Sequence, residues 1–464
     1  MAQCPFHPKP HKNKASLFTT LFLKRRSWLD GLYEKSYKMK MGRVRMPGLD
    51  LYVVNDPKEV RKIMVDEVRE FPKSELLHEL LNPLLGNSIF TTNDKEWEKQ
   101  KNLIKPSFEM TRVSRVFTHM KNAANDLIEH LNKNKNASVV EMDEEMTYVT
   151  ADVIFRTIMS ERLNREEGKR VIAAFVTFQE ETARAAMRKM FCFPKWISYF
   201  LGERRRLKAG EEIRSVLANI IRPRYDAVTN NEKIEQVDIL STLLQVIDCD
   251  TNERFSFEEI LDQVAMLFLA GHETTASSLT WSLYLLSMFE EEQEIAYKEV
   301  CEVCELLGSD DISIKHIRKM KYVTNVFKEA LRLYPPVGFF ARESKREHIN
   351  MRSKDIKKGA AIVVAPWLIH RHEEFWDKPN EFDPRRYENP KNIKKDSYLP
   401  FGMGERVCIG QGFAIQESIL ILSSILKNYK LKLEDGFVPD IVGRLTIRSA
   451  NGMNIILTKR KQGE

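Results

Sequence analysis

Residues 401–410, Phe-Gly-Met-Gly-Glu-Arg-Val-Cys-Ile-Gly, hold one cysteine in a glycine frame. Glycines at 402, 404 and 410 permit backbone conformations that other residues avoid, so the loop can present Cys408 with free space around its sulfur. The apolar run from Phe413 to Leu426 predicts a helix directly after it. A thiolate near a helix N-terminus is stabilised by the dipole and by free N–H groups. Such a thiolate is a good axial ligand for haem iron. A lone cysteine is most often an inert buried residue; the glycine frame and Arg406 argue against that here.

A second segment breaks local rules. Ala270-Gly271-His272-Glu273-Thr274-Thr275 places a glycine and two adjacent β-branched residues in the middle of a long apolar run. These are poor helix formers, and a broken rule in a core often marks a functional site. Three further signals are weak alone. Glu329-Ala330-Leu331-Arg332 puts opposite charges on one helix face. Phe382-Asp383-Pro384-Arg385-Arg386-Tyr387 follows, and Trp97 precedes Lys101 by one helical turn. Cys301-Glu302-Val303-Cys304 has redox or zinc spacing but no second pair nearby, and it lies on a helical run. His370-Arg371-His372 lacks the other ligands of a metal site.

These residues need elements to hold them. Ser256 and Glu259 have capping-box spacing, and apolar residues run from Leu261 through Leu269 and resume at Leu279. The spacing predicts a helix apolar around most of its circumference, which belongs in the middle of a domain. Gly42 to Asn55 alternates around Pro47-Gly48 and predicts a hairpin, and Asp56-Pro57 opens a helix. Strand-like stretches return at 349–364 and 445–456. The remainder, 94–345 and 408–430, is mainly helical. The expectation is a mainly α fold with small β-sheets (α+β): residues 1–41 as a tail and first helix, and residues 42–464 as a single catalytic domain.

Composition bounds the rest. The chain has 464 residues, 43% apolar and 30% charged, which is ordinary globular usage. The charge of +7 is mild over that length and suits an anionic protein or membrane surface. No zinc-finger spacing or RNA-binding aromatic signature points to nucleic acid. Six cysteines in so long a chain are no disulfide framework and suggest a reducing compartment. Residues 1–14 are polar and basic, and the apolar stretch Leu17 to Leu23 is closed by Lys24-Arg25-Arg26. A spanning helix needs about 20 apolar residues, so the expectation is a soluble cytoplasmic monomer with at most weak peripheral membrane contact.

Taken together and in this order, the signals resemble cytochrome P450. Residues 401–410 match the family's haem loop FGxGxRxCxG at every fixed position. Ala270 to Thr275 matches its central-helix motif (A/G)Gx(D/E)T(T/S), and Glu329 with Arg332 matches its ExxR pair. Arg386 matches the arginine that completes a buried charge triad with that pair. The resemblance implies the family's fold, a helical core around haem b, with Cys408 as proximal thiolate and metal ligand. It implies Arg406, Lys101 and Arg342 as partners of the haem propionates, with Trp97 assisting. Lys101 stands where the family often has arginine, so the charge is kept and the bidentate fork lost. His370 resembles a position near the same edge. Phe401, Gly402, Ala270 and Gly271 would border the haem, with the central helix loosened at the last two to leave room for dioxygen. Thr274 would hold a water for proton delivery on the distal side, with Glu273 as its acidic partner.

The resemblance also places a pocket wall at Phe90, Phe191, Leu267, Ala270, Val337, Phe339, Phe340 and Thr446. A wall so lined favours an apolar ligand such as a fatty acid, terpenoid or steroid. The implied activity is insertion of one atom of O2 into that substrate. Electrons would come from a separate ferredoxin or flavodoxin-type protein, because no flavin or iron–sulfur segment follows the last strand. Acidic donors would be attracted to Lys391, Lys394, Lys395 and Arg406. A peroxide-using or hydroperoxide-rearranging enzyme and a haem sensor are the alternatives, and the intact Glu273-Thr274 pair argues against both.

Overall fold

Pro47-Gly48 turns the chain back on itself. Strands β1 (Met41–Met46) and β2 (Leu49–Val54) pair antiparallel, with Met46 opposite Leu49. Asp56 caps the short helix that follows, accepting the Lys58 N–H at 3.0 Å. The computed structural model describes residues 4–13, 27–248 and 252–461. The expected first helix around Leu17 to Leu23 lies outside them, as does Cys249.

Ten longer helices form the body of the fold: α1 (Glu75–Leu85), α2 (Asp94–Ile104), α3 (Met110–Asn132), α4 (Met142–Met159), α5 (Arg165–Met190), α6 (Arg204–Thr229), α7 (Phe257–Met288), α8 (Glu290–Leu307), α9 (Lys321–Leu333) and α10 (Gln411–Asn428). The strands form small separate sheets. β4 (Phe340–Glu343) and β7 (Ala361–Val364) extend the first hairpin in the order β1-β2-β7-β4, with β2 and β7 parallel. β3 (Ser138–Glu141), β8 (Tyr429–Leu433) and β11 (Asn454–Lys459) make a second sheet, with β11 central. Hairpins β5 (His348–Met351) with β6 (Lys354–Lys357), and β9 (Ile441–Gly443) with β10 (Ile447–Ser449), complete the set. Two strands interrupt the stretch 94–345 that the pattern predicts as helical. β3 pairs with the distant β11, and β4 with β7 beyond the β5–β6 hairpin; both are four-residue strands held by partners outside their own segment, which local periodicity does not show.

The core is built around α7. Ser256 accepts the Glu259 N–H while the Glu259 carboxylate accepts the Ser256 N–H, which closes the predicted capping box and starts the helix. Nearly every residue of α7 is buried, among them Ile260, Val264, Phe268, Ala276, Leu279 and Trp281. It packs most extensively on α4 and also on α6, α9, α10 and α1. At Gly271 a Cβ would meet the Ile154 side chain, so glycine permits the close approach of α4 at that point.

Candidate active site

The loop before α10 is pinned by its own backbone. The Cys408 N–H donates to the Phe401 carbonyl at 2.9 Å, and the Gln411 N–H to the Cys408 carbonyl at 3.3 Å. Gly402 and Gly404 have φ of 73° and 72°. A Cβ on Gly404 would collide with the Met64 carbonyl, so both conformation and packing require glycine there. Cys408 is crowded by protein yet its side chain is open. Burial pushes its thiol above the ordinary value, and the Gly410 N–H opposes this only in part. A metal cation bound at the sulfur would oppose that effect of burial and favour the thiolate.

A group of cations lies in the same region. Around the buried Trp97 ring stand Lys101 Nζ at 4.6 Å, Arg406 Cζ at 5.4 Å and Lys73 Nζ at 5.8 Å from its centroid. Lys73 and Arg342 face each other across an isolated β-bridge. Lys73 Nζ donates to the carbonyls of Ile89 at 2.5 Å and Thr92 at 2.8 Å. The Nε atoms of Arg342 and Arg406 are buried without partners. Burial, then repulsion from Arg406 and Arg342, holds Lys73 well below its usual range. Burial and Arg406 bring Arg342 down to about 9. Among the described residues Lys73, Arg342 and Arg406 form no ion pair. Buried cations without counter-anions are unfavourable by themselves and fit a ligand that carries two carboxylates. Lys73 was invisible to motif reasoning; only tertiary contact brings it here.

On α7 the exposure pattern reverses at one place. Ala270, Gly271 and Thr274 are half-open on a helix otherwise buried, and their spacing puts them on one face. The helix runs unbroken through them, contrary to the loosening expected there. The Thr274 hydroxyl donates to the Ala270 carbonyl at 2.7 Å. Glu273, one residue earlier, is buried and faces the β9–β10 hairpin. It accepts from the Thr446 hydroxyl at 2.5 Å and from Arg448 Nε at 3.2 Å and Nη2 at 3.1 Å. Burial opposes its ionisation, but Arg448, His272, Thr446 and Gln179 together hold its carboxyl below the ordinary value. The His272 ring stacks on Phe268 at 4.5 Å, and burial keeps it neutral-leaning.

Glu329, Arg332 and Arg386 meet in a separate buried node. Arg332 and Glu329 pair through two bonds of 2.7 and 2.8 Å, and Arg386 Nε reaches Glu329 at 3.1 Å. Arg332 also donates to the carbonyls of His370, Pro379 and Glu381. His370 belongs to this node rather than to the edge where it was expected. It is buried, accepts the Leu399 N–H at 3.0 Å and is pushed down to about 3 by burial and by Arg332 and Arg371.

The pocket residues divide. Phe90 is open and Phe191, Val337, Phe339 and Phe340 are half-buried. Phe339 meets Trp28 edge-on at 5.3 Å, and the Phe340 ring lies against Gly402 of the cysteine loop. Leu267 is closed in by packing. Thr446 does not line open space: it is buried and its hydroxyl is spent on Glu273.

The sequence matches the cytochrome P450 profile over residues 8–454. The chain belongs to the cytochrome P450 family. A cytokinin hydroxylase from Arabidopsis thaliana is 32% identical over 384 residues, 80% of this chain and 72% of that protein. Cytochrome P450 72A68 of Medicago truncatula is 29% identical over 88% of this chain and 79% of its own. Human cytochrome P450 4V2 is 28% identical over 87% and 79%. The crystal structure of the cytochrome P450DA heme domain superposes with a TM-score of 0.79 over 91% of this chain and 90% of that one, at 23% identity, and shows the fold. This cytochrome P450 is an oxidoreductase with haem b as cofactor, a monooxygenase that takes a substrate, O2 and electrons from a redox partner. No helix among the described residues is long and apolar enough to cross a membrane.

Proposed function

We propose that this cytochrome P450 hydroxylates an apolar, lipid-like substrate, with Cys408 as the thiolate ligand of the haem iron. The observation that carries the assignment is the open Cys408 beside cations that lack anions of their own. Bound there, haem b supplies an oxygen-activating iron, and donation from a thiolate favours O–O cleavage. Lys73, Lys101, Arg342 and Arg406 hold the propionates, and Trp97 supports the cations by its ring face. Ala270 and Gly271, small and half-open, leave room for O2. Thr274 holds a water and passes protons on the same face, fed by Glu273 when that carboxyl is released from the hairpin side. The open Phe90 and the half-buried Phe191, Val337 and Phe339 give the substrate an apolar wall; the fatty acid, terpenoid and steroid classes all fit it.

An acidic ferredoxin or flavodoxin-type donor docks on the Cys408 face, drawn by the exposed Lys391, Lys394 and Lys395 of the segment that leads into the cysteine loop. A monomer with peripheral membrane contact suits the exposed turn Trp196, Tyr199, Phe200 and Leu201, flanked by Lys195, Arg204, Arg205 and Lys208. The experiment is coupling in Thr274→Ala. Electron consumption should continue while product per electron pair falls by at least several-fold; unchanged coupling would contradict the role of Thr274.

A further inference from the structure

One guanidinium serves two carboxylates, the buried Glu273 and the half-buried Asp143. Arg448 on β10 grips Glu273 with Nε and Nη2, while its Nη1 donates to Asp143 Oδ1 at 2.7 Å and Nη2 also donates to Thr147 Oγ1 at 2.8 Å. Asp143 opens α4 and accepts the Thr280 hydroxyl of α7 at 3.0 Å. The Ile447 carbonyl accepts from Ser277 at 2.7 Å and from Trp281 at 3.0 Å, which fixes the hairpin against α7. The fork therefore cannot follow one carboxylate without loosening from the other.

We propose that Arg448 is the positioning residue for Glu273 and that Asp143 competes for it, so that ionisation of Asp143 loosens Glu273 toward the Thr274 face. The proposal rests on the reading of Glu273 and Thr274 as the proton-handling pair. The charged and titratable groups around the cluster are His272 beside Glu273, Arg448 between the two acids, and Glu141 at the start of α4. Thr446, Gln179, Thr147 and Thr280 are its neutral partners. Burial raises Asp143 above its ordinary range, Arg448 opposes this, and Glu273 adds to it. Two carboxylates on one cation titrate as a coupled pair, in which the proton that one keeps strengthens the hold on the other. With Asp143 protonated, Arg448 belongs wholly to Glu273 and locks it. With Asp143 ionised, the hold is shared and the Glu273 carboxyl can exchange a proton with water at Thr274.

The test uses the haem-loaded protein and two readouts. Infrared difference spectra across a pH series follow the Asp143 carboxyl, assigned by its loss in Asp143→Asn. Glu273→Gln should lower the Asp143 midpoint by about one pH unit, a tenfold change in proton affinity, and Arg448→Lys should raise it. Coupling in the unmodified protein should rise with pH through the same midpoint, and Asp143→Asn should pin it at the low limb with no pH dependence. A midpoint unmoved by Glu273→Gln, or a normal pH profile in Asp143→Asn, would overturn the proposal. Should Arg448→Lys fail to retain haem, the other two variants decide alone. Unchanged coupling in Thr274→Ala would instead remove the relay reading and leave the infrared result standing.

Discussion

Lys73 illustrates what a single residue contributes when its partner is absent. Its ammonium is buried, faces Arg406 and Arg342, and is held well below its usual range. A lysine depressed in the fold binds fewer protons than in the unfolded chain, so it lowers stability at neutral pH and that loss fades as pH rises. Lys73→Met should therefore stabilise the haem-free chain by on the order of 1 kcal/mol and weaken haem retention. Melting of the haem-free and haem-loaded forms checks this: the variant should shift them in opposite directions, and a parallel shift would contradict the propionate assignment. Motif spacing made Cys408, Arg406, Thr274 and Glu329 legible, because each lies in a fixed local pattern. Lys73, Asp143 and Arg448 were not legible, because their roles come from contacts between segments far apart in the chain.

At the scale of elements, α9 and the Pro384–Tyr387 turn are joined by charge. Glu329 and Arg332 are fully buried, and Arg386 and the carbonyls of His370, Pro379 and Glu381 complete their bonds. Removing one member of such a pair leaves a buried charge uncompensated, at a cost of about 3–5 kcal/mol. Glu329→Leu should lower the unfolding free energy measured by denaturant titration by that amount. A variant that folds with full stability would show the node to be dispensable. The pattern revealed α7, the capping box at Ser256 and Glu259, and the first hairpin, since each is local. It missed β3 and β4 inside a helical stretch, because each is only four residues long and is held by a partner outside its own segment, β3 by the distant β11 and β4 by β7 beyond the β5–β6 hairpin.

For the whole molecule, the distribution of charge matters more than its net value of +7. Lysines 391, 394 and 395 are exposed in the segment that leads into the Cys408 loop, and exposed charges steer partners through a screened field. The rate of reduction by an acidic ferredoxin should fall several-fold between low and high salt; a salt-independent rate would exclude the basic face as the docking site. The turn at Trp196 and Phe200, 68% and 81% exposed, makes a separate prediction. Trp196→Ser with Phe200→Ser should reduce binding to vesicles of anionic phospholipid, and full retention would place any membrane contact elsewhere.

Everything assigned to the haem side rests on Cys408 being the iron ligand. The haem-loaded protein, reduced and exposed to carbon monoxide, should show the red-shifted Soret band of thiolate ligation. Cys408→Ser should keep bound haem and lose that band. Persistence of the band in Cys408→Ser, or its absence from the unmodified protein at full haem content, would contradict the assignment of Cys408.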